Sequence, residues 1–203
     1  MRLLWVSLCF LLICTSPAYA VTLAEVQSHL AAVDVLRASY RQTRVVIGLN
    51  EPLESSGTLL LARNTGLVWS QEEPFQVQYV ITDEIFLQQF PGQPRKVKKK
   101  ADNRELFKFV GFVSSLFTEQ GSSLEQSFDS DFAMLAGEAW TITLTPRAAN
   151  VRKVFTTIVL AGKQLVEDVE INEASGNKTL IHFSDMDTSP ALLSADEKLY
   201  FQN

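Results

Sequence analysis

Residues 57–70, G-T-L-L-L-A-R-N-T-G-L-V-W-S, place a permanent cation at the end of an apolar run and a tryptophan six residues further on. Leucines in a short run after a glycine are typical of a buried strand, so we predict a strand over 58–63. The cation is Arg63, whose five donors must reach water or protein oxygens because a guanidinium keeps its charge. Taken alone, the stretch favours an arginine that lies in solvent at a strand end.

Similar short runs, rich in β-branched and aromatic residues, follow this stretch with turn residues between them. The predicted strands are 58–63, 76–82, 85–90, 140–145, 154–160, 165–171 and 179–184. In two of them apolar and polar residues alternate, so the apolar side chains share one face of a sheet. These shared-face sets are Val77, Tyr79 and Ile81 in one strand, and Trp140, Ile142 and Leu144 in the other.

Two helices are predicted, one before the strands and one between the early and late strands. A capping box at 22–25 precedes apolar residues at steps of three and four, namely Leu23, Val26, Leu30, Val33, Leu36 and Tyr40. A second capping box at 102–105 precedes a run that is apolar nearly all round and contains Phe109 and Val113. A helix of this second kind needs cover on more than one side.

Many antiparallel strands with few helices predict a mainly β protein. The expected architecture is a strongly curved antiparallel sheet, or incomplete barrel, with helices packed over one face. Two arrangements fit this pattern. The helices fill the covered face as an ordinary core, or they form a lid over an apolar cavity.

The first twenty residues are typical of a secretory signal peptide, with a basic start, an apolar middle and A-Y-A at 18–20 before the cut. Cleavage there would leave 21–203 as one soluble domain in the periplasm. Cys14 follows the bulky Ile13, where a lipidation signal has a small residue, so we do not predict a lipoprotein. Cys9 and Cys14 would both leave with the signal, which excludes disulfides and thiolate sites from the mature chain.

Charge and motifs argue against several classes of function. The net charge of −5 becomes −6 without Arg2, which argues against a nucleic-acid partner. His29 and His182 have no acidic or serine motif beside them, and the acidic pairs at 129/131 and 185/187 lack the further ligands of a calcium loop. We find no nucleophile elbow, phosphate-binding loop or dinucleotide fingerprint. We therefore predict no enzyme, no cofactor and no metal site, and we expect a monomer.

A basic run, R-K-V-K-K-K at 95–100, follows the turn sequence P-G-Q-P at 91–94. One interpretation is a solvated hairpin end, which is the usual outcome for a block of charge. The other is a docking patch for an acidic partner or for anionic lipid headgroups. This patch would consist of Arg95, Lys96, Lys98, Lys99 and Lys100.

Taken together, these segments resemble the LolA family of periplasmic outer-membrane lipoprotein carriers over nearly the whole mature chain. The similar segments are 36–43 (L-R-A-S-Y-R-Q-T), 56–63 (S-G-T-L-L-L-A-R), 67–69 (L-V-W) ahead of E-P at 73–74, 140–146 (W-T-I-T-L-T-P) and 152–155 (R-K-V-F). No single segment is specific. The resemblance rests on their order and spacing.

The resemblance implies an incomplete barrel with a helical lid over an apolar cavity that receives acyl chains. It also implies that Arg63 hydrogen-bonds the lid helices and holds the empty carrier closed. Leu59 and Leu61 would share the inward face, with Trp69 as the cavity tryptophan. The other expected lining residues are Val77, Tyr79, Ile81, Trp140, Ile142, Phe109 and Val113.

The implied cargo is an acylated lipoprotein, received from an inner-membrane releasing transporter and passed to an outer-membrane acceptor. Two features depart from the family. Asn64 replaces a proline, and K-L-Y-F at 198–201, similar to the family's late strand, comes just before the last residue given, Asn203. A glycolipid, a fatty-acyl compound or a pigment lipid is therefore an alternative cargo. A periplasmic binding or scaffold module is a further alternative, and a lipid-modifying enzyme is disfavoured because catalytic residues are lacking.

Overall fold

The computed structural model describes residues 23–99 and 128–202. Within these ranges eleven strands form one antiparallel sheet. The strands are β1 Val35–Val45, β2 Leu53–Ala62, β3 Gly66–Glu73, β4 Val77–Ile81, β5 Ile85–Gln89, β6 Lys96–Lys99, β7 Phe128–Met134, β8 Trp140–Pro146, β9 Phe155–Gly162, β10 Val166–Glu173 and β11 Lys178–Asp187. Three short α-helices are described with them: α1 Leu23–Ala31, α2 Ala149–Arg152 and α3 Ala195–Tyr200. None of the described helices is long and apolar enough to cross a membrane.

The sheet consists of two meanders joined at their first and last strands. The order is β6-β5-β4-β3-β2-β1-β11-β10-β9-β8-β7, and β1 pairs with β11. We call β1–β6 the N-terminal half and β7–β11 the C-terminal half. Within the described residues the outermost strands, β6 and β7, each pair with one neighbour, so the sheet stays open. This confirms the predicted mainly β fold with a curved, open antiparallel sheet, while the predicted lid helix with Phe109 and Val113 lies outside the described residues.

Each face of the sheet packs against a different helix. Directly paired residues project to the same side, so the register places Leu59, Tyr40, Phe183 and Ile142 on one face. Val26 and Leu30 of α1 pack on this face, which we call the α1 face. The opposite side, the α3 face, carries Val35, Leu60, Val68, Val80 and Leu87, against which Leu193 and Phe201 pack at the two ends of α3.

Curvature of the N-terminal half depends on a glycine in β2. Gly57 pairs with Gln71 at a register shift that begins at Ser56. A Cβ on Gly57 would lie 1.9 Å from the carbonyl oxygen of Ser70, so only glycine fits. A bulge of this kind bends a strand and increases its twist, which favours an open curved sheet over a flat one.

The first predicted helix is too long. α1 ends at Ala31, and Leu36 and Tyr40, which were predicted to lie on it, belong to β1. Leu36, Ala38 and Tyr40 are buried at alternating positions, as expected for a strand that pairs on both edges. Satisfying the backbone groups of β1 through β2 and β11 outweighs the helical spacing of its apolar residues.

The predicted strand at 198–201 is wrong, because most of this segment forms the last turn of α3. Ser194 begins the helix with a capping box: its Oγ accepts from the Glu197 backbone N–H at 3.2 Å, and the Glu197 carboxylate accepts from the Ser194 N–H at 2.7 Å. Arg37 of β1 then holds α3 in place. Its guanidinium donates to both carboxylate oxygens of Glu197, at 2.6 and 2.8 Å.

Candidate functional site

The α1 face of the N-terminal half collects most of the residues that were predicted to line a cavity. Register pairs connect neighbouring strands on this face: Leu36 with Leu61, Leu59 with Trp69, Trp69 with Tyr79, and Leu67 with Ile81. Val77 continues the same face of β4 by alternation. The predicted residues brought together are Leu59, Leu61, Trp69, Val77, Tyr79 and Ile81. Their role in lipid binding stays a prediction.

A group of aromatic rings lies at the centre of this face. The rings of Tyr40 and Trp69 have centroids 4.0 Å apart, and Phe183 meets Trp69 edge to face at 6.2 Å. Tyr40 is buried, whereas Trp69 and Phe183 are partly exposed. The sequence analysis did not single out Phe183, although its strand was predicted, because the pairing of β1 with β11 is not visible in a local pattern.

Tyr40 is an unusual member of this group. Burial raises the pKa of Tyr40 to about 12. Its hydroxyl oxygen is buried and has no hydrogen-bond partner among the described residues. Tyr40 is therefore neutral at any physiological pH, and it contributes an apolar ring to the group.

Arg63 lies just after β2 and contacts the segment that links α1 to β1. Its Nε donates to the carbonyl oxygen of Val33 at 3.2 Å and lies 3.5 Å from a carboxylate oxygen of Asp34. The Arg63 backbone N–H donates to the Asp34 carbonyl oxygen at 2.8 Å. Only 19% of the side chain is exposed, so the solvated interpretation of Arg63 does not describe this structure.

The guanidinium of Arg63 is not fully satisfied. Its Nη2 is buried and has no hydrogen-bond partner within the described ranges. Asn64, the residue after Arg63, has φ of +59°, a conformation that a proline ring forbids. Asparagine is one of the few residues that adopt this conformation readily, so Asn64 suits the turn that carries Arg63.

Trp140 and Ile142 lie on the same face but in the other half of the sheet. They pack with Leu160 of β9 and with Val26 and Leu30 of α1 in a buried cluster. Trp140 is 0% exposed, and its indole N–H donates to the carbonyl oxygen of Lys163. Leu165 packs against both this cluster and the one that contains Trp69. The structure thus places these two residues beneath α1, apart from the aromatic group.

The basic run forms the β5–β6 turn and β6, at one edge of the sheet. Arg95, Lys96, Lys98 and Lys99 are all exposed, and Lys100 lies outside the described residues. Lys96 and Lys98 pair with Gln88 and Phe86, which puts both lysines on the α1 face. Arg95 donates to the side-chain oxygen of Gln89 at 2.9 Å and to the Gln202 carbonyl at 3.1 Å. Their docking role stays a prediction.

The other polar groups that the structure describes were considered as a metal site, as a histidine–aspartate pair and as the walls of a cleft. In the part of the chain that the structure describes, no group of three or more histidine, cysteine or acidic side chains could hold a metal ion. His182 contacts Asp168 at 2.7 Å, and both side chains are exposed. A cleft of about 320 Å³ on the α3 face has mixed polar and apolar walls that include Arg37, Thr58, Asp185 and Glu197. Its charged walls do not suit an acyl chain.

Comparison with known proteins gives a consistent result. The family model described as outer membrane lipoprotein carrier protein LolA matches residues 31–197. An outer-membrane lipoprotein carrier protein of Dechloromonas aromatica (strain RCB) is 26% identical over 184 residues, covering 89% of this chain and 84% of that protein.

Two solved structures are similar to this chain at low sequence identity. A LolA superfamily protein, NE2245 from Nitrosomonas europaea, is 10% identical with a TM-score of 0.48, covering 91% of this chain and 99% of that one. MucB is 14% identical with a TM-score of 0.48, covering 86% of this chain and 61% of that one.

Proposed function

The chain belongs to the LolA family of outer membrane lipoprotein carrier proteins, and we propose that it shields the acyl chains of a lipoprotein on the α1 face of its N-terminal half. Proteins of this family are periplasmic and bind lipoproteins without catalysing a reaction. Transfer from the inner to the outer membrane is the transport step that such shielding would serve.

The observation that carries this proposal is the partly exposed apolar surface around Trp69. Buried leucines of β2 flank it, and Trp69, Ile81, Phe183 and Met186 are packed against them but remain partly exposed. Apolar side chains that already contact each other and still reach solvent can accept an acyl chain without unfolding. The side chains that form this surface, namely the β2 leucines, Trp69, Ile81, Phe183 and Met186, carry no charge, so an acyl chain that covers them would displace none.

The energetics favour a carrier whose closed state competes with cargo. Each buried methylene contributes about 0.8 kcal/mol, so one long acyl chain contributes on the order of 10 kcal/mol. Several chains would bind too tightly for release unless binding also breaks favourable contacts. A contact that exists only in the empty protein lowers the net affinity and permits unloading without an energy source.

We propose Arg63 as this contact. It ties the Val33–Asp34 segment, which follows α1, to the end of β2. A buried guanidinium nitrogen without a partner costs about 1–3 kcal/mol, so the contact is favourable but incomplete. Movement of α1 would break it and return the guanidinium to water. The second lid element in this proposal is the helix that the sequence predicts around Phe109 and Val113, outside the described residues.

The exposed basic residues Arg95, Lys96, Lys98 and Lys99 are proposed as the docking patch for the protein partners. An inner-membrane releasing transporter and an outer-membrane acceptor would present acidic surfaces to them. Because Lys96 and Lys98 lie on the α1 face, a docked partner would stand beside the acyl site.

Lipid content is the direct test. Protein produced with residues 1–20 in place, so that it can be exported, and purified from the periplasm without detergent should yield acylated lipid on organic extraction and mass spectrometry. Acylated cysteine peptides would identify lipoprotein, and glycolipid or pigment lipid would identify an alternative cargo. A protein partner without lipid would instead indicate a binding or scaffold module.

Displacement of an apolar dye tests where the acyl chain binds, with a matched control variant. An environment-sensitive apolar dye should bind saturably, and long-chain acyl compounds should displace it. Trp69→Ala should weaken binding, whereas Tyr200→Ala, which removes an exposed aromatic ring from the α3 side, should not. Lipid-free protein that shows no saturable dye binding would refute the proposal.

A further inference from the structure

One end of the sheet carries exposed apolar side chains on its hairpin turns. The strand order places the turns β1–β2, β3–β4, β5–β6, β8–β9 and β10–β11 at the same end, opposite Arg63. We call the end of the sheet that carries these five turns the hairpin end. Turns in water are normally built from polar residues and glycine. Here the β1–β2 turn and its flanks read V-V-I-G-L-N-E-P-L over 45–53.

The apolar side chains of the β1–β2 hairpin project into solvent. Ile47 is 69% exposed and Leu49 53%, and Val45 and Leu53 are also exposed. Two other hairpins at this end add Phe75 and Val154. Scattered apolar residues on a surface are normal, but several at the tips of turns at one end indicate a contact surface.

The β1–β2 tip is held in a fixed position. The backbone N–H of Ile47 donates to the side-chain oxygen of Asn177 in the β10–β11 turn, at 3.0 Å. Asn177 in turn donates to Glu173 at 3.3 Å. The Ile47 side chain lies over Gly176, where a Cβ would be 2.4 Å from its Cδ1. The tip is therefore ordered before any partner binds, which lowers the entropic cost of association.

Basic residues surround the apolar tips on both sides. The β5–β6 turn contributes Arg95 and the start of β6 contributes Lys96. The β8–β9 turn contributes Arg147, Arg152 and Lys153, and all five side chains are exposed in a chain whose net charge is negative. Neither turn contains an acidic residue. The acidic residues Glu51, Glu72 and Glu73 lie at the central hairpins. On one flank Asp129 of β7 pairs with Arg147 at 2.8 Å, so the excess of positive charge there comes from Arg152 and Lys153, and on the other flank it comes from Arg95 and Lys96.

We propose that the hairpin end docks on a phospholipid bilayer that contains anionic lipid, with Ile47 and Leu49 inserted and the basic turns against the phosphates. A protein partner would need a continuous patch of roughly 800 Å². The apolar side chains here are divided among separate tips, and a fluid bilayer can receive each of them independently. Basic side chains beside an inserted apolar group are the usual arrangement of a membrane-surface contact.

This contact would be separate from cargo binding. The tips lie at the opposite end of the strands from Arg63, and Ile47 and Leu49 are not part of the cluster around Trp69. Docking would bring the sheet to a membrane surface without occupying the acyl site.

Vesicle flotation tests the proposal with the protein produced from Val21 onward. Vesicles of phosphatidylglycerol and phosphatidylethanolamine should carry the protein upward in a gradient. The double variant Ile47→Ser/Leu49→Ser should bind at least about tenfold more weakly, because two apolar side chains no longer leave water. The control is Leu135→Ser/Leu192→Ser, which removes side chains of 52% and 78% exposure from the opposite end and should bind like the parent.

Charge gives a second, independent measurement. Lys96→Gln and Lys153→Gln should each weaken binding by about fivefold at low salt, and raising the salt concentration should reduce this difference. Equal binding by the two double variants, or no binding by the parent, would overturn the proposal. So would binding that requires membrane proteins in the vesicles, which would identify a protein partner.

The same variants separate this proposal from the acyl-carrier function. Ile47→Ser/Leu49→Ser should leave displacement of the apolar dye by acyl compounds unchanged in solution. Loss of vesicle binding with intact dye displacement supports both proposals. Vesicle binding by a protein that binds no acyl compound would refute the carrier function alone.

Discussion

The two halves of the α1 face differ in how completely they are packed. In the C-terminal half, Trp140, Leu144, Ile158 and Leu160 are essentially inaccessible to solvent and share one cluster with Val26 and Leu30 of α1. In the N-terminal half, the neighbours of the buried leucines remain partly exposed. One continuous sheet face thus combines an ordinary core with a surface of partly exposed apolar side chains, which is the acyl site of the proposed function.

The difference shows how a carrier can hold an apolar ligand and stay folded when it is empty. The C-terminal half supplies stability that does not depend on cargo. The N-terminal half keeps some apolar surface exposed, and α3 covers its other side, so that only one face is available. Arg63, in the N-terminal half, binds the segment that follows α1, and α1 itself packs on the C-terminal half, so this contact connects the two halves.

The largest expected effect is on stability and concerns the tryptophans of the two halves. Trp140→Ala should lower the free energy of unfolding by about 3–5 kcal/mol, since it opens a cavity in a packed core. Trp69→Ala should cost no more than about 2 kcal/mol, because Trp69 is partly exposed. Urea unfolding of both variants provides the measurement. Equal losses would mean that the two halves are packed alike.

Arg63→Leu should change ligand affinity more than stability. The variant removes the donors that bind Val33 and leaves the apolar packing of β2 intact. Charged hydrogen bonds are worth roughly 1.5–3 kcal/mol, so the affinity for an acyl compound should rise by about tenfold to a hundredfold and release should slow. Arg63→Lys should restore the parent behaviour only in part, since an ammonium lacks the planar fork.

Titration with an acyl compound and stopped-flow release from the loaded protein measure these effects. If Arg63→Leu binds and releases the acyl compound as the parent does, at unchanged thermal stability, Arg63 does not hold the empty carrier closed.

A smaller effect concerns the α3 face of the N-terminal half. The hydrogen bonds from Arg37 lower the pKa of Glu197 to about 2 from an ordinary value of 4.5. The carboxylate therefore stabilises the fold fully above pH 4.5, and this contribution disappears as the pH falls toward 2. Glu197→Gln should lose about 1–3 kcal/mol at pH 7, with the loss shrinking between pH 4.5 and 2.

Thermal unfolding of the parent and Glu197→Gln across this pH range gives the measurement. A difference between them that is independent of pH would show that the ion pair does not hold α3.

The sequence predicted strands best where alternation was strict. The runs at 76–82 and 140–145 are confirmed as β4 and β8. The error at β1 arose because Leu36 and Tyr40 are four residues apart, a spacing that suits one helix face and also one strand face. Ala38 between them is buried as well, which only the strand explains. The edge strand β6, K-V-K-K, has no apolar pattern because little of it is buried.

The site was predictable only in part. Local alternation placed Val77, Tyr79 and Ile81 together, while the resemblance to the LolA family selected Arg63 and Trp69. The position of Phe183 beside Trp69 requires the pairing of β1 with β11. These are the first and last strands along the chain, so a local pattern does not reveal their pairing. The separation of Trp140 from Trp69 depends on where α1 packs, and no local pattern specifies that contact.

The two tryptophans also provide the most direct test of the account. The chain has tryptophans at positions 5, 69 and 140, so protein produced from Val21 onward retains Trp69 and Trp140. Trp140→Phe leaves Trp69 as the fluorescent reporter, and Trp69→Phe leaves Trp140. A brominated acyl chain, which quenches only indoles that it contacts, should strongly quench Trp69 and leave Trp140 nearly unchanged. Equal quenching of both, or quenching of Trp140 alone, would contradict the assignment of acyl binding to the N-terminal half.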